Sequence, residues 1–334
     1  MSLKEVLQEA LKRKQQEEEA QKRAIPEDVA DVGDKIIFTG LDNSGKSSII
    51  LALQNKYAHI ALLQPTRQIE RTVFTYLGKQ ITRWDLGGQQ RYRIAYLKDP
   101  SKYFENTAAC LFVLDIQDIN RIDEAITYFQ TILESFQTLA IAPPIYVFLH
   151  KADPGWMAIV DDIQESYLTP IKKKIKKMVG KAHKLVFRTT TIFTPWTIVA
   201  FFSEILLQLY PKGELVDLTI QEFASKIIAD GIVVLDENAL ILGQYFITPE
   251  EEASFAAIAP AVLQLFDNFR SIAKSTQKMT FNVNLGEYLL YAVTDSLQSV
   301  ERYVFIKAPL EGLNDADIEE FGNVLIDLLL KDRE

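Results

Sequence analysis

The chain opens on apolar positions at helical spacing, Leu3, Val6, Leu7, Ala10 and Leu11, which then stop while Lys, Glu, Gln and Arg continue to Arg23. That spacing predicts a charged, solvated helix over residues 3–23, ended by Pro26. From Asp34 onward short apolar runs alternate with amphipathic stretches. Ala109 to Asp115 and Ile145 to His150 are continuous runs, as strands covered on both faces require, and Lys35 to Thr39 and Val186 to Thr190 are shorter ones. Val73 to Tyr76 and Gln80 to Asp85 flank Gly78 and predict a hairpin, while Ser47 to Asn55 and Thr194 to Leu209 predict helices. The alternation predicts an α/β domain, a parallel-rich sheet covered by helices on both faces.

Past Pro211 the pattern changes. Leu218 to Ala229 is amphipathic through Ile220, Phe223, Ala224 and Ile227. Strands follow at Ile232 to Leu235 and Leu240 to Ile247, around a turn at Asp236 to Asn238. A long helix is predicted over Glu250 to Ala273, then strands at Lys278 to Asn282, Tyr288 to Val293 and Arg302 to Ile306. The last helix, Asp315 to Leu330, places Ile318, Phe321, Val324, Leu325 and Leu328 on one face. Strands joined by short turns must be antiparallel, so this is an α+β module of order α-β-β-α-β-β-β-α. The chain therefore divides into a charged helical extension (1–33), an α/β domain (34–212) and an α+β domain (213–334), near the two domains its length suggests.

Composition narrows the class. With 48% apolar and 24% charged residues the chain is of ordinary globular type. Its one cysteine, Cys110, sits in an apolar run and excludes an internal disulfide framework. That fits a reducing, cytoplasmic compartment. No apolar run reaches the roughly 18 residues a membrane span needs. The start, Met1-Ser2-Leu3-Lys4, matches neither a signal peptide nor a myristoylation signal, which leaves peripheral membrane contact as the only kind expected. Residues 213–334 carry 21 acidic and 8 basic residues, within a net charge of -9 for the whole chain. Such a balance argues against nucleic-acid binding by that half. The lysines of Lys172 to Lys177, with Lys181 and Lys184, surround a stripe of Ile171, Ile175, Met178 and Val179 and are expected on a solvated helix face.

Three motifs carry chemistry. Gly40-Leu41-Asp42-Asn43-Ser44-Gly45-Lys46-Ser47-Ser48 follows a predicted strand and opens a predicted helix, the context a phosphate-binding loop demands. Backbone N–H groups of the loop and the positive end of the helix would face phosphate oxygens. Lys46 would bridge the β- and γ-phosphates, and Ser47 would ligate Mg²⁺. The second motif, Trp84-Asp85-Leu86-Gly87-Gly88-Gln89, ends a strand: Asp85 is expected to hold Mg²⁺ through water, the Gly88 amide to meet a γ-phosphate, and Gln89 to orient an attacking water. Between them Thr66 lies 20 residues after Lys46 and 19 before Asp85, where it would close over the metal. The third motif, His150-Lys151-Ala152-Asp153, ends another strand. Asp153 can accept the N1 and N2 protons of guanine, which adenine lacks, and the stem of Lys151 can cover the base. Thr189 to Thr191, with Thr190 and Thr191 as the candidates for contact, lie where a loop would approach the guanine O6. GTP or GDP with Mg²⁺ is thus the expected ligand.

On these residues the chain resembles a Rag/Gtr-type small GTPase over nearly everything after residue 34. The phosphate loop and the Trp84 to Gln89 run are shared with Rag and Arf-like proteins, and Leu41-Asp42-Asn43 is closer to the Arf-like ones. His150 is similar to Rag proteins, since Arf-like proteins have asparagine there. Phe187-Arg188-Thr189 with Trp196, and Phe223-Ala224 with Ile227 to Asp230, are also Rag-like. The resemblance implies a roadblock/longin-like C-terminal domain, dimerisation through residues 213–334 with a like or unlike partner, and regulation by an exchange factor and a GTPase activator. The expected function is a GTP/GDP switch that hydrolyses GTP slowly; an Arf-like membrane-associated GTPase and a nucleotide-bound scaffold with little hydrolysis are the alternatives.

Overall fold

In the computed structural model the runs after Asp34 pair into a six-stranded sheet of order β2-β3-β1-β4-β5-β6. The structure describes residues 33–54, 56–60, 62–64, 66, 69–76, 79–158, 163–210, 213–236, 240–258, 278–283, 286–294, 301–309 and 314–330. The helix expected over residues 3–23, the turn at Gly78 and the long helix expected beyond residue 258 lie outside them. The strands are β1 (Asp34–Thr39), β2 (Ile69–Tyr76), β3 (Lys79–Leu86), β4 (Thr107–Asp115), β5 (Ile145–His150) and β6 (Leu185–Thr190). Only β2 and β3 are antiparallel to each other; every other neighbouring pair is parallel. Parallel pairing brings the carboxyl ends of β1, β3, β4, β5 and β6 to one rim, where open α/β sheets bind ligands. All six residues of β5 are buried, the physical reason its sequence reads as an unbroken apolar run.

Helices cover both faces. Helices α1 (Lys46–Leu53) and α5 (Trp196–Leu209) pack on one side, with α2 (Gln90–Lys98), α3 (Ile122–Thr138) and α4 (Thr169–Val179) on the other. Neither α2 nor α3 is among the helices read from the sequence. On α4 the buried residues are Ile171, Ile175 and Val179, with Lys173, Lys174, Lys176 and Lys177 exposed, as the periodicity requires.

The C-terminal region holds α6 (Gly213–Ile227), β7 (Gly231–Leu235), β8 (Ile241–Phe246), α7 (residues 249–258), β9 (Lys278–Val283), β10 (Gly286–Thr294), β11 (Glu301–Lys307) and α8 (Asp315–Leu330). Its strands form one antiparallel sheet of order β8-β7-β11-β10-β9. The element order is the one the spacing predicts. The two sheets share a core that runs from Phe38 and Phe202 through Val216 to Ile232 and Phe305. At this junction the backbone of Ile241 on β8 is satisfied by the first domain. Its N–H donates to Ser203 Oγ at 2.9 Å, and its carbonyl accepts from the Tyr76 hydroxyl at 2.6 Å, both in buried surroundings. An edge strand is thereby covered rather than left open.

Candidate functional site

The phosphate loop joins β1 to α1. Gly40 (φ 144°), Asn43 (φ 60°) and Gly45 (φ 96°) take positive φ, which curls the loop so that successive amides can point to one side. A side chain at Gly45 would stand 2.4 Å from His150 Cδ2, so glycine is required there on two grounds. No side chain caps the start of α1, which leaves its first N–H groups for an anion. Ser44 is buried, Ser47 and Ser48 are half-buried in the first turn, and Asn43 faces solvent. The Lys46 ammonium folds back across the loop, donating to Leu41 O at 2.7 Å and Gly40 O at 3.2 Å. Burial pulls its pKa down to about 8, against the opposing pull of Asp85 and Asp42. A buried lysine held by two carbonyls and the Ser44 hydroxyl, with no carboxylate bonded to it, is poised to recover full charge beside a polyphosphate.

Ser47, Thr66 and Asp85 come from a helix, a loop and a strand, yet they meet. Ser47 Oγ lies 2.8 Å from Thr66 Oγ1 and donates to Asp85 Oδ2 at 2.8 Å; Thr66 Oγ1 is 3.4 Å from the same oxygen. The other carboxylate oxygen, Asp85 Oδ1, is buried and has no hydrogen-bond partner. A buried acceptor in that state fits a hard cation or its water, and two hydroxyls with one carboxylate suit Mg²⁺. Among the described residues no group of three or more His, Cys, Asp and Glu could hold a metal by itself. The remaining oxygens must come from phosphate and water, so metal and nucleotide would bind together. Gly88 lies against the loop: a Cβ there would fall 2.2 Å from Asp42 N, which forbids a side chain at the γ-phosphate end. Gln89 follows as the residue preceding α2, its carbonyl accepting from the amides of Tyr92 and Arg93.

At the other end, β5 delivers His150, Lys151 and Asp153. His150 is 2% exposed, its Nδ1 lies 3.0 Å from Thr190 Oγ1, and its opposite edge abuts Gly45. Burial, with Lys151 alongside, lowers its pKa to about 4, so the imidazole is neutral at pH 7. His150, paired with Thr190, therefore lies against the phosphate loop at Gly45. Lys151 adopts a left-handed φ of 64° while its ammonium pairs with Asp115 Oδ2 at 2.6 Å. Both oxygens of Asp153 are already oriented, Oδ1 by the Thr191 hydroxyl and Oδ2 by Gln117 Nε2 at 2.9 Å. The Thr190 hydroxyl is thus engaged with His150 and the Thr191 hydroxyl with Asp153. An ionised carboxylate retains lone pairs beyond these two contacts for two further donors.

Sequence reasoning missed Asp115 and Gln117. Their signal was positional: they stand at the carboxyl end of β4, on the ligand-binding rim, two residues apart. Arg121, whose Nη2 donates to Asp42 Oδ1 at 2.8 Å across 79 residues, gave no local signal at all. Burial pushes the Asp42 carboxyl up in pKa, but hydrogen bonding and charge from Arg121 outweigh it and leave the group below its ordinary value.

A family model described as the Gtr1/RagA G protein conserved region matches residues 35–254. An ADP-ribosylation factor-like protein 3 from Chlamydomonas reinhardtii is 29% identical over 141 residues, 42% of this chain and 75% of that protein. Among solved structures, the Arl6 BBS3 small GTPase from Trypanosoma brucei, determined with the nucleotide analogue GppNp, aligns at 20% identity. The alignment has a TM-score of 0.41 and covers 52% of this chain and 95% of that one.

Proposed function

Because the chain belongs to the Gtr1/RagA G protein family, and is thus a GTP-binding small GTPase of the Rag/Arf type, we propose that it works as a magnesium-dependent GTP/GDP switch with slow unaided hydrolysis. The observation that carries this reading is the meeting of Ser47 and Thr66 at one oxygen of Asp85, whose other, buried oxygen is left without a partner. In this reading Lys46 and the loop amides hold the β- and γ-phosphates, Asp153 selects guanine, and Gln89 orients the attacking water. Bound Mg²⁺ would neutralise charge on the phosphate oxygens. Loss of the γ-phosphate removes what draws Thr66 and Gly88 inward, so the loops around them are the switching elements. The ion pairs of Arg93 and Arg121 run to Glu124, Asp42 and Asp118 and not to Asp85, so unaided turnover on the order of 10⁻⁴ to 10⁻² s⁻¹ is expected, and regulation falls to an exchange factor and a GTPase activator. Single-turnover hydrolysis with and without Mg²⁺, beside the nucleotide content of purified protein, tests the proposal. Metal-independent turnover, or protein that retains no guanine nucleotide, counts against it.

We further propose dimerisation through residues 213–334. Strand β8 is covered by the first domain, whereas β9 ends the sheet with no strand beyond it among the described residues. An open edge of this kind favours pairing with another chain. The acidic balance of the segment opposes pairing between identical copies and favours a more basic partner. Light scattering on the full chain is the test. A monomer at micromolar concentration excludes a stable homodimer and leaves the unlike partner to be sought.

A further inference from the structure

Four charged side chains connect the phosphate loop to the helix that begins after Gln89, and the reaction outlined above does not use them. Asp42 accepts from Arg121, as described. Arg121 Nε donates to Glu124 Oε2 at 2.9 Å, and the second oxygen of Glu124 accepts from Arg93 Nη2. Arg93 lies one turn into α2, where its backbone N–H donates to the Gln89 carbonyl at 3.1 Å. The chain of contacts therefore starts at the γ-phosphate end of the loop and closes on the residue that positions water.

Exposed ion pairs contribute little, so the placement matters more than the count. The Arg93 side chain is 10% exposed, its guanidinium lies 5.0 Å from the Tyr128 ring centroid, and its Nε is buried without a partner. Tyr128 in turn meets Thr39, the last residue before the loop, through its hydroxyl at 3.0 Å. Helix α2 has no side-chain cap at Gln89 and buries only Arg93 and Tyr96. With Tyr96 its one fully buried apolar residue and Tyr92 and Leu97 only partly so, the direction of its first turn depends also on what holds Arg93. Glu124, held ionised below its ordinary pKa chiefly by the hydrogen bond from Arg121, supplies that hold.

We propose that Arg93, Glu124 and Arg121 are positioning residues for GTP hydrolysis: they fix the first turn of α2 against the phosphate loop and so hold Gln89 where it can orient water. The inference rests on the GTPase reading and adds to it a carboxylate shared by two guanidiniums. A merely structural network would lower nucleotide affinity or stability and would act independently of Gln89. Residues that act as one unit are non-additive. The test is single-turnover GTP hydrolysis, with GDP affinity measured in parallel, on full-length Arg93→Ala and Glu124→Gln, each alone and combined with Gln89→Leu. Each single variant is expected to slow hydrolysis about tenfold while GDP affinity stays within about twofold, and neither is expected to slow the Gln89→Leu protein further. Arg93→Lys, which keeps a charge for Glu124, should recover part of the rate. Wild-type rates in both single variants, or slowing that multiplies with Gln89→Leu, overturns the proposal. A Gln89→Leu protein that hydrolyses normally overturns it too, and is also the only one of these outcomes that removes Gln89 from the reaction itself.

Discussion

The two ends of the nucleotide site are prepared in different ways. At the base end every polar group already has a partner: Asp153 is held by Thr191 and Gln117, Lys151 by Asp115, and His150 by Thr190. At the phosphate end the groups are gathered but unsatisfied. Asp85 Oδ1 is an orphan, Lys46 is held only by neutral oxygens of the loop, and the first amides of α1 lack a side-chain cap. A preformed end can discriminate, because a wrong base leaves oriented acceptors unpaired. An unsatisfied end derives its affinity from the ligand's charge and changes when that charge changes, which is what a switch needs.

The sharpest way to break this comparison is Asp153→Asn. GTP affinity should fall by about a thousandfold or more while XTP affinity rises, since an amide N–H₂ can meet the xanthine 2-oxo group where the carboxylate met an amino group. Unchanged GTP binding in a competition titration removes Asp153 from the site. A smaller effect is expected at the opposite end from Ser47→Ala. Mg²⁺-dependent GTP affinity should fall by about 10- to 100-fold, with much less change in EDTA, because a metal-holding hydroxyl is lost while the loop amides remain. Equal losses with and without the metal would place Ser47 on phosphate only.

The charge state of Lys46 gives a third test. Its pKa in the free protein is lowered to about 8, whereas a bound polyphosphate keeps the ammonium charged. Binding therefore takes up a proton above that pH, and GTP affinity should fall by about tenfold between pH 7 and pH 9. Calorimetry in buffers of different ionisation enthalpy reads the uptake directly; binding that releases protons over this range contradicts the assignment. The smallest effect is expected from Thr191→Val, which removes one of the two donors that orient Asp153. A loss of about fivefold in GTP affinity, near 1 kcal/mol, follows from one buried hydrogen bond. A loss as large as that of Asp153→Asn would mean that the carboxylate is not otherwise held and that the base end is not preformed.

Much of this site was legible in the residues. The phosphate loop could be read because its glycines mark positive φ and a strand and a helix flank it, which is local information. Asp85, Gly88, Gln89 and Asp153 could be read for the same reason, each standing at the end of an apolar run. Thr66 was placed by its spacing alone, and the structure brings it to 2.8 Å from Ser47. Spacing puts His150 and Thr190 at the end of neighbouring strands, and the structure adds that they pair with each other and that His150 lies against Gly45. That pairing depends on which way a side chain faces, which spacing does not encode.

By itself, then, the sequence determined the α/β and α+β order of elements and the strand ends that carry the motifs, because these follow from periodicity and from turns whose backbone conformation is local. Only the tertiary structure decided that Gln117 orients Asp153, that Arg121 reaches Asp42 and shares Glu124 with Arg93, and that Tyr76 and Ser203 secure Ile241. Those partners lie 31 to 165 residues apart in sequence, except for the neighbours Arg121 and Glu124. The physical reason is that a buried polar group must find a partner wherever packing supplies one, and packing brings together strands and helices whose sequences carry no mark of each other.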